Sequence, residues 1–163
     1  MNAKARMLLS FTILVLVFCS FCLESAFAQN ANSACVTARG NWLDTLNASG
    51  GTSGAITSAG ILNGTTVTVY NPAFVLTPNP TVVAYIAETT ITTVQGQLKT
   101  SNVYLYDFVT GVGTVMGRIN SNTSTGRFAG ATGVLYFNTT KTIGVPPNQS
   151  FVSEIAGQIC FAN

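Results

Sequence analysis

The sequence predicts an all-β protein with a single antiparallel up-and-down barrel of about eight strands; a two-sheet β-sandwich is the alternative. Three observations support this fold class. Runs rich in Val, Ile, Thr and Tyr recur at even spacing and are separated by Gly, Pro and Asn signals. After the first 28 residues no helical period of apolar residues appears, and one cysteine lies near each end of the remaining chain.

Residues 1–28 have the organisation of a secretory signal peptide. Two basic residues precede an apolar run from Met7 to Leu23, and Ala26-Phe27-Ala28 offers small residues at the positions that a signal peptidase reads. We expect a secreted, extracytoplasmic product in which residues 29–163 form one domain. A retained membrane anchor is the alternative, but no basic flank follows the apolar run, and no later segment could span a bilayer as a helix.

Charge is sparse in the mature chain and nearly balanced, with five basic and four acidic residues. The basic residues are scattered, whereas a nucleic-acid-binding protein needs clustered Lys and Arg to contact phosphates. Histidine is absent, so the commonest general base and metal ligand is missing. The sequence therefore predicts no nucleic-acid partner, no metal site and no other cofactor.

Cys35 and Cys160 are the only cysteines that remain after the leader. Two cysteines in an exported chain predict one internal disulfide. Because the Cα atoms of bonded cysteines lie within about 7 Å of each other, this bond would bring the first and last strands together. Two free thiols, or a bond between two chains, are the alternatives.

The β-favouring runs cover residues 36–46, 55–62, 65–70, 81–98, 103–109, 112–119, 133–140 and 151–161. The Gly/Ser-rich stretch 47–54 predicts a flexible loop, and Asn63-Gly64 predicts a type I′ hairpin turn. Prolines after Tyr70 predict a long connection or an edge that lies over an opening. Gln95-Gly96 predicts a bulge near the end of the longest run.

Glycines recur every three or four residues at Gly126, Gly130 and Gly133, inside a segment that otherwise favours β-structure. Such glycines mark a bend or a close approach of the backbone. The stretch 125–135 therefore predicts a corner followed by a strand.

The runs 104–109, 117–120 and 125–135 resemble the dirigent and allene-oxide-cyclase-like barrel superfamily. Its most recognisable signature is a Gly-Thr-Gly-Arg/Lys-Phe segment before a Gly-rich strand start, which Gly126, Arg127, Phe128, Gly130 and Gly133 match in part. The resemblance implies an eight-stranded barrel, often secreted and oligomeric, around an apolar cavity that binds or steers a hydrophobic small molecule. The matched residues imply the fold alone, because no catalytic carboxylate of the superfamily aligns with a position here.

Glu88 and Asp107 are the candidate acid–base residues. Each shares a strand face with apolar residues, so both carboxylates would be buried if those faces point into the barrel. Arg118 and Arg127 are the candidate cations for pairing with them. A strand-end position or a structural ion pair is the alternative interpretation, and it applies to Glu154 as well.

Aromatic side chains mark two further strands. Trp42 is predicted to pack in the core or to line the cavity, and Asp44 lies on the same strand face. Tyr104, Tyr106 and Phe108 alternate with Val103 and Leu105, so this strand is apolar on both faces. Its outer face is expected to pack against another subunit, giving a homo-oligomer, or to be covered by the proline-rich segment.

The function that these observations favour is a secreted barrel that binds or steers an apolar small molecule and has no recognisable catalytic motif. The expected cavity residues are Trp42, Glu88, Asp107, Arg118 and Arg127. A barrel isomerase or cyclase that uses a buried Glu88 or Asp107 is one alternative. A non-enzymatic cell-surface or matrix protein with a filled interior is the other.

Overall fold

The computed structural model describes residues 34–161, apart from the side chains of residues 73 and 74. The predicted signal peptide lies outside the described residues. Eight strands follow one another in chain order, each antiparallel to the next, and the last pairs with the first to close a barrel. The predicted barrel is thereby confirmed, and the sandwich alternative is wrong. Within residues 34–161 no helix is long and apolar enough to cross a membrane.

The strands are β1 (Cys35–Leu46), β2 (Thr52–Thr57), β3 (Gly64–Leu76), β4 (Val82–Thr93), β5 (Gly96–Asp107), β6 (Val112–Ile119), β7 (Thr132–Ile143) and β8 (Ser150–Cys160). Two short 3-10 turns, Gly60–Leu62 and Gly126–Phe128, lie between β2 and β3 and between β6 and β7. Successive side chains alternate between the interior and the outer surface, as strand geometry requires. On β4, for example, Ala87 and Ile91 are buried while Ile86 and Glu88 are exposed.

The seam of the barrel joins β1 to β8 through an unbroken register from Cys35 opposite Cys160 to Thr45 opposite Ser150. Cys35 and Cys160 form the predicted disulfide, with their Cα atoms 3.9 Å apart. The internal bond is therefore confirmed, and it lies at the end of the barrel where the described chain begins and ends.

This end of the barrel, which we call the closed end, is filled by packed apolar side chains. Five fully buried side chains lie there, those of Leu62, Ile91, Leu98, Phe128 and Ile159. Phe128 comes from the predicted corner, and Gly126 within it has a φ of +61°, a left-handed conformation that glycine adopts without strain. The corner is therefore confirmed, and its structural role is to carry Phe128 into the closed end.

Four predictions of strand bounds and turns are wrong. The run 81–98 is a hairpin rather than one strand, because the chain turns at Val94 and Gln95 and β5 begins at Gly96. β2 begins inside the predicted flexible loop, and a 3-10 turn replaces the two-residue turn expected at Asn63-Gly64. β3 continues past Pro72 to Leu76, with a bulge that shifts its register against β4.

Candidate functional site

The opposite end of the barrel, which we call the open end, has a mouth of about 500 Å³. Apolar and aromatic side chains dominate its lining, among them Leu76, Pro80, Val83, Phe108 and Phe151. They come from strand ends and from the proline-containing connection between β3 and β4. The sequence predicted that the proline-rich segment after Tyr70 lies over an opening, and Pro72 in β3 and Pro80 in the connection do line the mouth.

Beneath the mouth, three tyrosine rings from adjacent strands pack against one another inside the barrel. Tyr85 and Tyr104 are stacked with ring centroids 4.7 Å apart, and Tyr70 meets Tyr85 and Tyr104 edge-on at 5.1 and 5.7 Å. Burial raises the pKa of each of the three phenols, and that of Tyr104 reaches about 12. The three phenol groups are therefore uncharged at neutral pH, and their rings form an aromatic wall.

Asp44 lies beside this aromatic wall, on β1, and its side chain is only 3% exposed. It lines an inner cavity of about 20 Å³ together with Trp42, Tyr70, Tyr85 and Tyr104. The residue opposite it on β2 is Gly54. A Cβ atom at Gly54 would lie 2.7 Å from Oδ1 of Asp44, so the glycine leaves the space that the carboxyl group occupies.

Burial raises the pKa of the Asp44 carboxyl group to about 7, although the nearby hydroxyl groups of Thr52 and Thr66 act in the opposite direction. The Thr66 hydroxyl is 3.5 Å from Oδ1 of Asp44, a long contact. No Lys or Arg of the described residues contributes to the pKa of Asp44. The carboxyl group therefore changes charge close to neutral pH.

Hydroxyl and amide groups connect the aromatic residues to the middle of the interior. The indole Nε1 of Trp42 donates to Oγ1 of Thr66 at 2.9 Å. Asn102 donates to Oγ1 of Thr89 at 2.7 Å, and Thr89 lies 2.8 Å from the Thr68 hydroxyl. Among the described residues, four buried oxygens make no hydrogen bond of ordinary geometry, on the side chains of Thr52, Thr100, Asn102 and Tyr104, although the Thr52 hydroxyl is near enough to Asp44 to lower its pKa. Such atoms can hydrogen-bond with a polar group that enters the barrel.

Trp42 is the only one of the five predicted cavity residues that lies in the interior. It is 3% exposed and lines the inner cavity, as predicted. Glu88 on β4 and Arg118 on β6 are exposed on the outer surface. The expectation that these two side chains point inward is therefore wrong.

Asp107 and Arg127 lie at opposite ends of the barrel rather than in the cavity. Asp107 is the last residue of β5, and its Oδ1 accepts a 2.9 Å hydrogen bond from the backbone N–H of Val109, which lowers its pKa. The guanidinium group of Arg127 lies 5.1 Å from the centre of the Phe161 ring. Asp107 thus occupies a strand end, which is one of the alternatives that the sequence left open for the carboxylates, and Glu154 is exposed on the outer surface.

Asp44 is a buried carboxylic acid that the acid–base residues predicted from the sequence did not include. The signal was present, because alternation along β1 places Asp44 on the same face as the buried Trp42. The tyrosine of β3 was also missed, since Tyr70 was expected to end its strand at a long connection.

The described residues contain no group of three or more His, Cys, Asp or Glu side chains that could hold a metal ion. Comparison with the models of known protein families, with characterised proteins and with solved structures finds no match for this chain. The resemblance to dirigent and allene-oxide-cyclase-like barrels therefore stays a prediction.

Proposed function

We propose that this protein is a secreted barrel that binds an apolar small molecule through its open end. One observation carries the proposal. The closed end is filled by packed side chains, whereas the open end forms an apolar mouth of about 500 Å³ whose lining includes Tyr70 and Tyr85, and Asp44 lies in the small cavity next to it. An apolar concavity with a few polar groups at its base is the usual form of a small-molecule site. A wholly filled interior would instead favour a structural role at a cell surface or in a matrix.

The mouth provides a matched pair of variants for the test. Phe108 and Val109 are neighbours in the turn after β5, and both are exposed apolar residues. Phe108 lines the mouth, whereas Val109 does not. Phe108→Ser removes an apolar wall of the site, and Val109→Ser makes a similar change beside it.

The measurement is a fluorescence titration with N-phenyl-1-naphthylamine, a neutral apolar dye that brightens in apolar surroundings. We expect saturable binding to the wild-type protein and to Val109→Ser. Phe108→Ser should weaken binding by about five- to tenfold, since the part of the ring that a ligand covers is worth about 1 to 1.5 kcal/mol. Equal affinity in the two variants, or no binding by the wild-type protein, would contradict the proposal.

Acid–base catalysis inside the barrel is the second candidate function, and Asp44 is the observation that favours it. A carboxyl group with a pKa of about 7 can both donate and accept a proton at neutral pH. Asp44 thus takes the role that the sequence assigned to Glu88 or Asp107 in an isomerase or cyclase. The test is incubation with a mixture of apolar compounds, followed by a search for a new product of unchanged mass. Such a product should form with the wild-type protein and not with Asp44→Asn.

A further inference from the structure

The buried carboxyl group of Asp44 has no positively charged partner in the part of the chain that the structure describes. The five basic residues there are Arg39, Lys99, Arg118, Arg127 and Lys141, and each has its side chain outside the barrel interior. An ionised carboxylate without a partner is costly to bury. A positively charged group of a ligand would therefore stabilise the ionised carboxylate of Asp44 in the interior.

Aromatic rings surround the place where such a group would bind. Tyr70, Tyr85, Tyr104 and Trp42 all line the inner cavity together with Asp44. The faces of aromatic rings attract cations, and the attraction is strongest where water is excluded. A carboxylate among aromatic rings recognises an ammonium group by charge and by ring contact at the same time.

The shape of the interior suits a ligand with a small charged end and a larger apolar body. The inner cavity, about 20 Å³, has room for about one water-sized group. Tyr70, Tyr85, Tyr106 and Phe151 line both this cavity and the mouth, so the inner cavity lies directly behind the mouth. A terminal ammonium group fits the inner cavity, and a hydrocarbon body fits the mouth.

We propose that the ligand of this barrel is an apolar molecule that carries a basic amine, and that its ammonium group binds Asp44 among the rings of Tyr70, Tyr85 and Tyr104. This inference rests on the ligand-binding function proposed above. An apolar acid would be repelled by Asp44, and a neutral alcohol would lack the charge that compensates the carboxylate.

The test compares three ligands that share one hydrocarbon body, namely octylamine, octan-1-ol and octanoate, as competitors of N-phenyl-1-naphthylamine at pH 8. We expect octylamine to displace the dye at a concentration at least about tenfold lower than octan-1-ol, and octanoate to be the weakest. In Asp44→Asn the preference for the amine over the alcohol should fall to about onefold, because the amide carries no charge. Glu88→Gln and Glu154→Gln remove outer carboxylates and should keep the full preference.

The wild-type protein gives a second readout that needs no variant. Raising the pH from 5.5 to 8.5 ionises Asp44, so the preference for the amine should increase across this range. The other titratable side chains that line the inner cavity are Tyr70, Tyr85, Tyr104 and Tyr106, and burial raises the pKa of the first three. The strands that flank β1 place Gly54 and Phe151 opposite Asp44, and neither titrates.

The outcomes separate this inference from the proposed function. If the dye binds but octylamine and octan-1-ol displace it equally, or if Asp44→Asn keeps the preference for the amine, the amine inference is overturned while the apolar site stands. If the wild-type protein does not bind the dye, the proposed function fails, and the amine inference fails with it.

Discussion

Asp44 places a carboxyl group in an interior where the other buried polar side chains of the described residues belong to Thr, Ser and Asn. An isolated aspartate has a pKa near 3.8, and burial raises that of Asp44 to about 7. Between these two values the native state holds a proton that the unfolded chain releases. The contribution of Asp44 to stability is therefore at its most favourable below pH 4 and becomes less favourable as the pH rises towards 7.

Asp44→Asn removes this pH dependence, because the amide stays neutral. A pKa difference of about three units corresponds to about 4 kcal/mol, so the variant should gain stability over the wild-type protein by up to this amount at pH 8 and by little at pH 4. Urea denaturation at pH 4, 6 and 8 measures the difference. A constant offset between the two proteins at all three values would contradict the expectation.

Asp107→Asn is the matched control for this experiment. A backbone hydrogen bond from Val109 lowers the pKa of Asp107, so its stabilising effect is present above the unfolded pKa and is lost as the pH falls. The control should therefore change the pH dependence in the opposite direction from Asp44→Asn. Both variants lose one negative charge, so an effect of net charge alone would appear equally in the two.

Individual residues were predictable where one strand face differed clearly from the other. Trp42 is a large aromatic residue on a strand whose opposite face carries Arg39 and Asn41, so its burial follows from the sequence. Glu88 was misplaced because β4 is apolar on both faces. Alternation then shows which residues share a face with Glu88, but it does not show which face points inward.

At the scale of elements, turns limited the prediction more than strands did. The sequence predicts one long strand where β4 and β5 form a hairpin, since Val94 and Gln95 interrupt the β-favouring run only weakly. Two distant segments come into close contact at this turn. A Cβ atom at Gly96 would clash with the backbone oxygen of Thr125, and one at Gly126 with that of Gln95. The sequence showed both glycines but not that they pack together.

The seam between β1 and β8 is the element whose contribution to stability is most easily measured. Its disulfide closes a loop with a sequence separation of 125 residues. Removing the bond with Cys35→Ser and Cys160→Ser frees the unfolded chain, which should lower the free energy of unfolding by about 5 kcal/mol. The barrel should still close at low temperature, because the hydrogen-bonded register of β1 and β8 extends beyond the cysteines.

Urea denaturation of the wild-type protein, with and without a reducing agent, provides the comparison. Reduction of the wild-type protein should reproduce the midpoint of the double variant, and the reducing agent should not affect the variant. An unchanged midpoint after complete reduction would show that the bond contributes nothing. Dye binding should survive in the folded double variant, since the disulfide is at the closed end and the mouth is at the open end.

At the scale of the whole molecule, the barrel was predictable because its evidence is distributed along the chain. Strand number, turn spacing and a cysteine at each end all favour closure. Errors of a few residues in the predicted strand boundaries do not change this prediction. The site was less predictable, since it depends on which end of the barrel is filled. The 3-10 turns at Gly60–Leu62 and Gly126–Phe128 send Leu62 and Phe128 into one end only, which no local pattern in the sequence specifies.

The outer surface of the barrel carries an apolar row across four neighbouring strands. Ile86 pairs with Val103, Val103 with Met116, and Met116 with Tyr136. Each of these side chains is between 45% and 55% exposed. The sequence offered two explanations for the apolar outer face of β5, and coverage by the proline-rich segment is not one that the described residues support, because Val103 and Leu105 remain exposed. Self-association stays a prediction.

Association of the chain through this row should be visible by sedimentation velocity at tens of micromolar. We expect the wild-type protein to sediment as a homo-oligomer, because contact between apolar rows removes side chains from water at each of the four strands. Met116→Glu places a charge in the middle of the row and should give a monomer, since a buried unpaired carboxylate opposes association. Thr37→Glu adds the same charge to an exposed position on β1, outside the row, and should leave the oligomer intact. A compact wild-type monomer at this concentration would exclude the row as an interface between copies of the chain.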